Sequence, residues 1–394
     1  MVEGLVLDVL LVLVLLAYLA YGVRNGLSRS AFVIGGVVAG VVAAFVLAPL
    51  AGEAVPVPFL RFGTVVFVAV ALVVVGHWAG SAIGRAVRSG VAATPLSGVD
   101  RLLGAVVTTV AAALVASVLA LSLGQLGVPA LSRAIAGSSV LRVIGVLTPD
   151  PVESFLAEVR GTLVAGGLPV LEGVLGPDTA PDIPAIDTGD PELTAAAQSV
   201  VRITGNAYAC GQSQSGTGFV VAGERVVTNA HVLAGITEPV VEAPNGQALI
   251  GSVVYFDPVD DIAVVAVPGL VAAALPLVDT LPTGTRAAVQ GYPYGGPFTS
   301  GGAEVLQVST QQVQDISGSS SAPREIYTLA ADVREGNSGG PLLTLDGAVA
   351  GLVFARSGDT ANVGYAATMA ELDPVAARAS GLSAPVSTGA CIRG

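Results

Sequence analysis

The chain has 394 residues, a net charge of −12 and a mean hydropathy of +0.76, with 53% of its residues hydrophobic and 12% charged. Such apolarity excludes an ordinary water-soluble protein and puts part of the chain in lipid, while the length suits two or three domains. The acidic balance argues against a nucleic-acid partner, whose phosphates need a basic face.

The apolar bias lies in the first 123 residues, which hold six of the 17 basic residues and four of the 29 acids, so the remainder carries about −14. Four stretches, at about 5–23, 31–51, 62–83 and 102–123, reach the roughly 20 residues that a bilayer-crossing helix needs. A cleaved leader would account for the first alone, so the pattern predicts four spans. Arg24 and Arg29 lie between spans one and two, and Arg85, Arg88 and Arg101 between spans three and four. Only Arg61 lies between spans two and three. The positive-inside rule therefore predicts that the arginine-rich loops are cytoplasmic and that everything beyond residue 123 is outside. Gly36 and Gly40 form a small-xxx-small pair that predicts close helix approach. Asp8 and His77, ionisable groups in or near spans, are candidate functional groups of that region.

Tyr21-Gly22-Val23-Arg24-Asn25-Gly26-Leu27 precedes a glycine-rich helix, and Ser97-Gly98-Val99-Asp100-Arg101-Leu102-Leu103-Gly104 opens the last span. With these motifs residues 1–125 resemble the colicin V production (CvpA) membrane family, which implies a helical membrane domain.

Residues 126–192 read as a connector. Apolar Val152, Phe155, Leu156, Val159 and Leu163 recur at helical spacing over 151–164, predicting an amphipathic helix. Pro177, Pro181, Pro184 and Pro191 among Asp178, Asp182, Asp187 and Asp190 predict an extended spacer that holds the next domain clear of the bilayer.

From residue 193 to 394 short β-rich runs alternate with Gly, Pro and Asp, at 199–203, 218–221, 225–228, 249–256, 262–267, 305–313, 342–345 and 348–354. Many short strands with regular turn signals predict an all-β sandwich or barrel. Within it lie Thr228-Asn229-Ala230-His231, then Asp260-Asp261-Ile262-Ala263-Val264, then Gly336-Asn337-Ser338-Gly339-Gly340-Pro341. Histidine, aspartate and serine in that order are the parts of a nucleophilic triad, and the glycines suit a tight turn and an oxyanion hole. Ser338 is the candidate nucleophile, His231 the base and Asp261 its orienting acid. Backbone N–H groups of Gly336 and Ser338 are the candidate oxyanion donors. Asp261 is preferred to Asp260 because it directly precedes the apolar run 262–267.

Gly216-Thr217-Gly218-Phe219-Val220-Val221 ahead of the histidine motif completes a set that resembles the trypsin-like, chymotrypsin-fold proteases of bacteria, above all the HtrA branch. That resemblance implies a double β-barrel and serine endopeptidase activity. CvpA-like spans joined to such a domain resemble the actinobacterial acid-resistance membrane proteases of the MarP type, implying a role in envelope stress or acid tolerance.

Phe354, Ala355 and Arg356 follow the strand after the serine and are expected to line the substrate cleft. Asp332, six residues before Ser338, stands where trypsin-like enzymes can place an acid that selects basic side chains. Cys210 and Cys391 are the only cysteines, and in an oxidising compartment an even pair reads as a disulfide. No metal cluster, phosphate loop or nucleotide motif occurs, so no cofactor is expected. The expected partners are the bilayer and protein or peptide substrates in the cell envelope. A membrane transporter or channel, or an inactive protease-like binding module, are the competing classes.

Overall fold

The computed structural model describes the chain apart from residues 1, 54–57, 93–95, 125–127, 150, 153–154, 157–167, 173–176, 178, 208–211, 391 and 393–394. Two compact units emerge, residues 9–117 and residues 1–8 with 118–394.

Three helices, α1 (Val2–Glu53), α2 (Pro58–Ala92) and α3 (Ser97–Gly124), are each long and apolar enough to cross a membrane. Four separate spans were expected. The first two fall in α1, which is broken at Gly26, where φ is 69° and ψ 169°. The expected loop is thus a single glycine. A Cβ there would lie 1.8 Å from Asp100 Oδ2. Asp100 accepts a hydrogen bond from Ser28 N–H (2.8 Å) and faces Arg88 Nη1 at 3.5 Å, so the two quoted motifs meet at this break.

The small-residue pair does what its spacing predicts. A Cβ on Gly36 would fall 2.2 Å from the carbonyl oxygen of Gly76, and one on Gly80 would fall 2.1 Å from that of Phe32. The backbones of α1 and α2 therefore touch. His77 is exposed on α2. Asp8 is structural: its carboxylate accepts from Ser138 Oγ (2.5 Å) and from the N–H groups of Ser139 and Val140 (both 3.1 Å). It thereby caps α5 (Ser139–Leu147), which follows α4 (Pro129–Ala136).

The connector departs from a free spacer. The amphipathic helix expected over 151–164 lies mostly outside the described residues. Beyond it, β1 (Val170–Leu171) joins the second sheet described below. Proline-rich chain leaves its carbonyls unpaired, and here the barrel supplies donors: Thr360 Oγ1 donates to Pro177 O (3.0 Å) and Asn362 Nδ2 to Pro181 O (3.2 Å). Ile186 packs on the core. Pro191 opens α6 (Pro191–Ala197), a position where its missing N–H does no harm, and Asp190 caps it through Glu192 N–H (2.8 Å).

Two seven-stranded sheets follow. The first holds β2 (Val200–Ala207), β3 (Gln212–Ala222), β4 (Arg225–Thr228), β5 (Val240–Glu242), β6 (Ala248–Ile250), β7 (Ser252–Asp257) and β8 (Ile262–Ala266), in the order β6-β5-β2-β3-β4-β8-β7. The second holds β9 (Arg286–Gly291), β10 (Thr299–Gln314), β11 (Ser321–Ala330), β12 (Pro341–Leu343), β13 (Val349–Ser357) and β14 (Val363–Ala367), in the order β1-β13-β12-β9-β10-β11-β14. A further β13–β14 pairing joins the ends of that row, curling it on itself. Among the strands of the described residues β1 pairs in parallel, as does the isolated bridge between Leu277 and Val349. Phe219, Val227 and Ile262 of the first sheet pack with Leu343, Val349 and Leu352 of the second under α8 (Met369–Ala376), so one core spans both sheets. Cys210 and Cys391, the expected disulfide, lie outside the described residues.

Replacing Gly36 by leucine forces α1 from α2. Thermal unfolding in detergent should show a loss of at least about 1–3 kcal/mol, whereas the same change at Gly35, which has nothing within 4 Å of its Cβ position, should be tolerated.

Candidate active site

The short helix α7 (Ala230–Leu233) leaves β4 and carries His231, which is 7% exposed. Its N–H donates to Asp261 Oδ1 (2.8 Å), and its Nδ1 lies 2.7 Å from Asp261 Oδ2. A carboxylate only accepts, so Nδ1 carries the proton and Nε2 is left as the basic nitrogen. Asp261 sits at the turn into β8 with φ +56°, a left-handed conformation that aspartate tolerates better than most residues. Asn229 Nδ2 donates to its carbonyl (2.8 Å), which ties the turn to the histidine segment. The structure therefore brings Asp261, and not Asp260, onto His231.

Ser338 is 3% exposed in a loop whose glycines are obligatory. Gly336 (φ +88°) and Gly339 (φ +83°) are left-handed, and a Cβ on either would lie 2.3 Å from Tyr292 O or 2.1 Å from Thr217 O. Thr217, between the two glycines of the first motif, clamps this loop. Its N–H donates to Ser338 O (2.8 Å), and its Oγ1 donates to Gly336 O (2.6 Å) while accepting from Tyr292 N–H (3.0 Å). Thr228 Oγ1 donates to Thr217 O (2.7 Å), linking the clamp to the strand that leads to His231. Tyr294 N–H donates to Glu335 O (2.5 Å). A trans peptide sets its N–H opposite its carbonyl, so Gly336 N–H points away from Tyr294. Arg202, ion-paired with buried Glu242, donates from Nη1 to Gly295 O (2.8 Å) and holds the Tyr294 turn. Burial in this cluster pushes the Tyr292 hydroxyl up to about 12.

His231 Nε2 and Ser338 Oγ are both buried without a hydrogen-bond partner. Orphaned buried polar atoms are unfavourable by about 1–3 kcal/mol each, so both call for an explanation. Catalytic hydrogen bonds often close only when substrate arrives.

The residues expected to line the cleft divide. A groove of about 370 Å³ beside the serine loop is lined by Tyr294, Asp332, Glu335, Arg356 and Asn362, among others. Asp332 is half-exposed and bound by Arg334, Nε to Oδ2 at 2.9 Å, so it presents no isolated carboxylate. Phe354 and Ala355 turn their side chains into the core. The edge of β13 at Arg356 is already paired: Arg356 N–H donates to Pro169 O (3.2 Å) and Gly358 N–H to Leu171 O (3.0 Å). A peptide adding there meets the chain's own β1.

Two curled antiparallel sheets, a histidine–aspartate couple and a serine framed by left-handed glycines define a trypsin-like serine peptidase domain. Comparison with known proteins agrees. Residues 216–352 match the trypsin-like peptidase domain, and residues 7–149 match the Colicin V production protein family. The serine protease Rv3671c of Mycobacterium tuberculosis (strain H37Rv) is 36% identical over 379 residues, covering 94% of each chain. A crystal structure of the Rv3671c protease in its active form covers 56% of this chain and all of its own, at 38% identity and a TM-score of 0.51. A DegP-like periplasmic serine endoprotease of Halomonas elongata is 32% identical over 163 residues, covering 38% of this chain and 32% of its own. The chain belongs to the family of the Rv3671c serine protease, and in this chain the Colicin V production match precedes the trypsin-like peptidase match. It is a serine endopeptidase of HtrA/Rv3671c type with membrane-type helices at its N-terminus.

Thr217, Thr228 and Asn229 carry no ionisable group, so side-chain chemistry alone did not single them out. The only signal was the presence of all three within quoted motifs. Thr217→Val removes the hydroxyl's bond to Gly336 O in the serine loop and its bond from Tyr292 N–H. Proteolysis of casein should fall at least about tenfold with the fold retained, in line with about 1–3 kcal/mol for unpaired buried groups; unchanged turnover would show that the loop needs no clamp.

Proposed function

We propose that His231, Asp261 and Ser338 are the catalytic triad of a membrane-held endopeptidase that cuts envelope proteins outside the cell. The observation that carries this reading is the pair of orphaned atoms, Nε2 and Oγ, with the histidine held to one carboxylate through its main-chain N–H and its Nδ1. Ser338 Oγ attacks the scissile carbonyl while His231 Nε2 takes its proton and then delivers it to the leaving amine. Asp261 holds the tautomer and stabilises the imidazolium. The N–H groups of Gly336 and Ser338 receive the developing oxyanion, each such donor being worth about 3–4 kcal/mol in comparable enzymes. Water then hydrolyses the acyl-enzyme by the same proton path, so the reaction needs neither metal nor cofactor.

The break at Gly26 leaves two apolar helical segments in α1, which supports four crossings with α2 and α3. Arginine-rich turns at Arg24–Arg29 and Arg85–Arg101 then face the cytoplasm, and the peptidase faces the envelope space. There Cys210 and Cys391 form a disulfide, and intact mass with alkylation should find no free thiol without reductant. Membership of this family supports substrates among envelope proteins and a part in acid or envelope stress.

The test uses full-length protein in detergent with a rhodamine fluorophosphonate. Wild type should label at one site, and Ser338→Ala should not. Asp261→Asn keeps the turn but reverses the tautomer, so turnover should fall by about 10⁴-fold, the loss known for the equivalent change in trypsin. Labelling that survives Ser338→Ala would overturn the assignment.

A further inference from the structure

Arg324, on β11, is 2% exposed, and a buried guanidinium ordinarily pairs with a carboxylate. This one does something else. Nη1 donates to Asp260 O and Nη2 to Gln314 O, both at 3.1 Å, and Nε is buried without a partner. The guanidinium carbon stacks 5.0 Å from the ring centroid of Phe354 on β13. One side chain thus joins the Asp-bearing turn of the first sheet to the β10–β11 hairpin and to the strand that braces the serine loop. A second link reinforces the junction, Ile316 N–H donating to Pro258 O (3.0 Å).

The bond to Asp260 O matters because of what that oxygen belongs to. It is part of the Asp260–Asp261 peptide plane, and rotating that plane about N–Cα of Asp261 is the φ torsion, held here at the unfavourable +56°. Anchoring the carbonyl fixes φ, and φ sets where the carboxylate meets His231. The charged groups facing Arg324 are Asp257, Asp260 and Asp261 on the turn and Glu371 on α8, with the His231 imidazole beyond Asp261. Burial pushes the guanidinium pKa down and these acids oppose it, so it remains a cation.

We infer that Arg324 is a positioning residue for hydrolysis: it locks the left-handed Asp260–Asp261 peptide and sets a fixed positive charge behind the Asp261–His231 couple. The inference rests on the triad reading above. Removing that charge is therefore expected to make the labelling rate more sensitive to acid.

The experiment measures the fluorophosphonate labelling rate of full-length protein in detergent across pH, for wild type, Arg324→Gln and Arg324→Lys. Arg324→Gln should label about ten- to a hundredfold more slowly at neutral pH, with the acid limb of its profile moved up by about half a pH unit or more. Arg324→Lys restores the charge without the two-pronged donor, so its acid limb should return to the wild-type position while its rate stays several-fold low. A wild-type rate in Arg324→Gln, or a slower rate with an unmoved acid limb, would overturn the inference and leave Arg324 a packing residue. Should Arg324→Gln fail to unfold cooperatively, Arg324→Lys decides: a slowed rate supports the inference, and a wild-type rate ends it. Absence of labelling in wild type would instead count against the triad itself.

Discussion

The arrangement around Ser338 depends on one strained residue. Asp261 adopts a left-handed backbone and, through it, meets both the main-chain N–H and the Nδ1 of His231. Such a conformation is unfavourable by about 1–3 kcal/mol, and it persists because its surroundings over-determine it: Asn229 holds its carbonyl and Arg324 the carbonyl before it. The carboxylate accepts one hydrogen bond from the His231 main chain and one from its Nδ1, which ties backbone and ring to the same group. The serine loop is fixed with equal thoroughness by Thr217, whose N–H and hydroxyl take two of its carbonyls. The parts of the site come from different sheets, so the interface between sheets is where precision is needed, and it is there that the buried polar side chains collect.

The proposed chemistry was legible in the sequence because it would be carried by the side chains of His231, Asp261 and Ser338 and because glycine at 336 and 339 has few alternatives. Strands rich in β-branched residues, such as β4 and β8, were legible for the same local reason. Besides the two-residue β1, four strands were not. β14 reads Val-Gly-Tyr-Ala-Ala and β9 Arg-Ala-Ala-Val-Gln-Gly, with small residues where a strand signal needs bulk, while β11 opens on Ser-Ala-Pro-Arg and β5 has three residues. Their strand character comes from ladder partners on both sides. Arg324 was illegible in principle, since a lone arginine in a polar stretch looks solvated until the fold buries it.

The connector shows the converse error. Among the described residues proline density correctly excluded helix up to 190, but α6 opens at Pro191 within the 176–192 stretch read as extended spacer, and that density says nothing about whether an extended chain is free. Unpaired carbonyls of such a chain attract donors, and Thr360 and Asn362 provide them within the peptidase domain. A break in α1 at a single glycine escaped notice because the pattern gives the length of an apolar run, not the angle at which two runs join.

The backbone contact between α1 and α2 bears on what the membrane-type helices can do. Where the carbonyl of Gly76 would abut a β-carbon at Gly36, the two main chains leave no gap wide enough for a file of water molecules. Solute permeation along that seam is therefore sterically forbidden, and any conducting route through these helices would have to follow a different face.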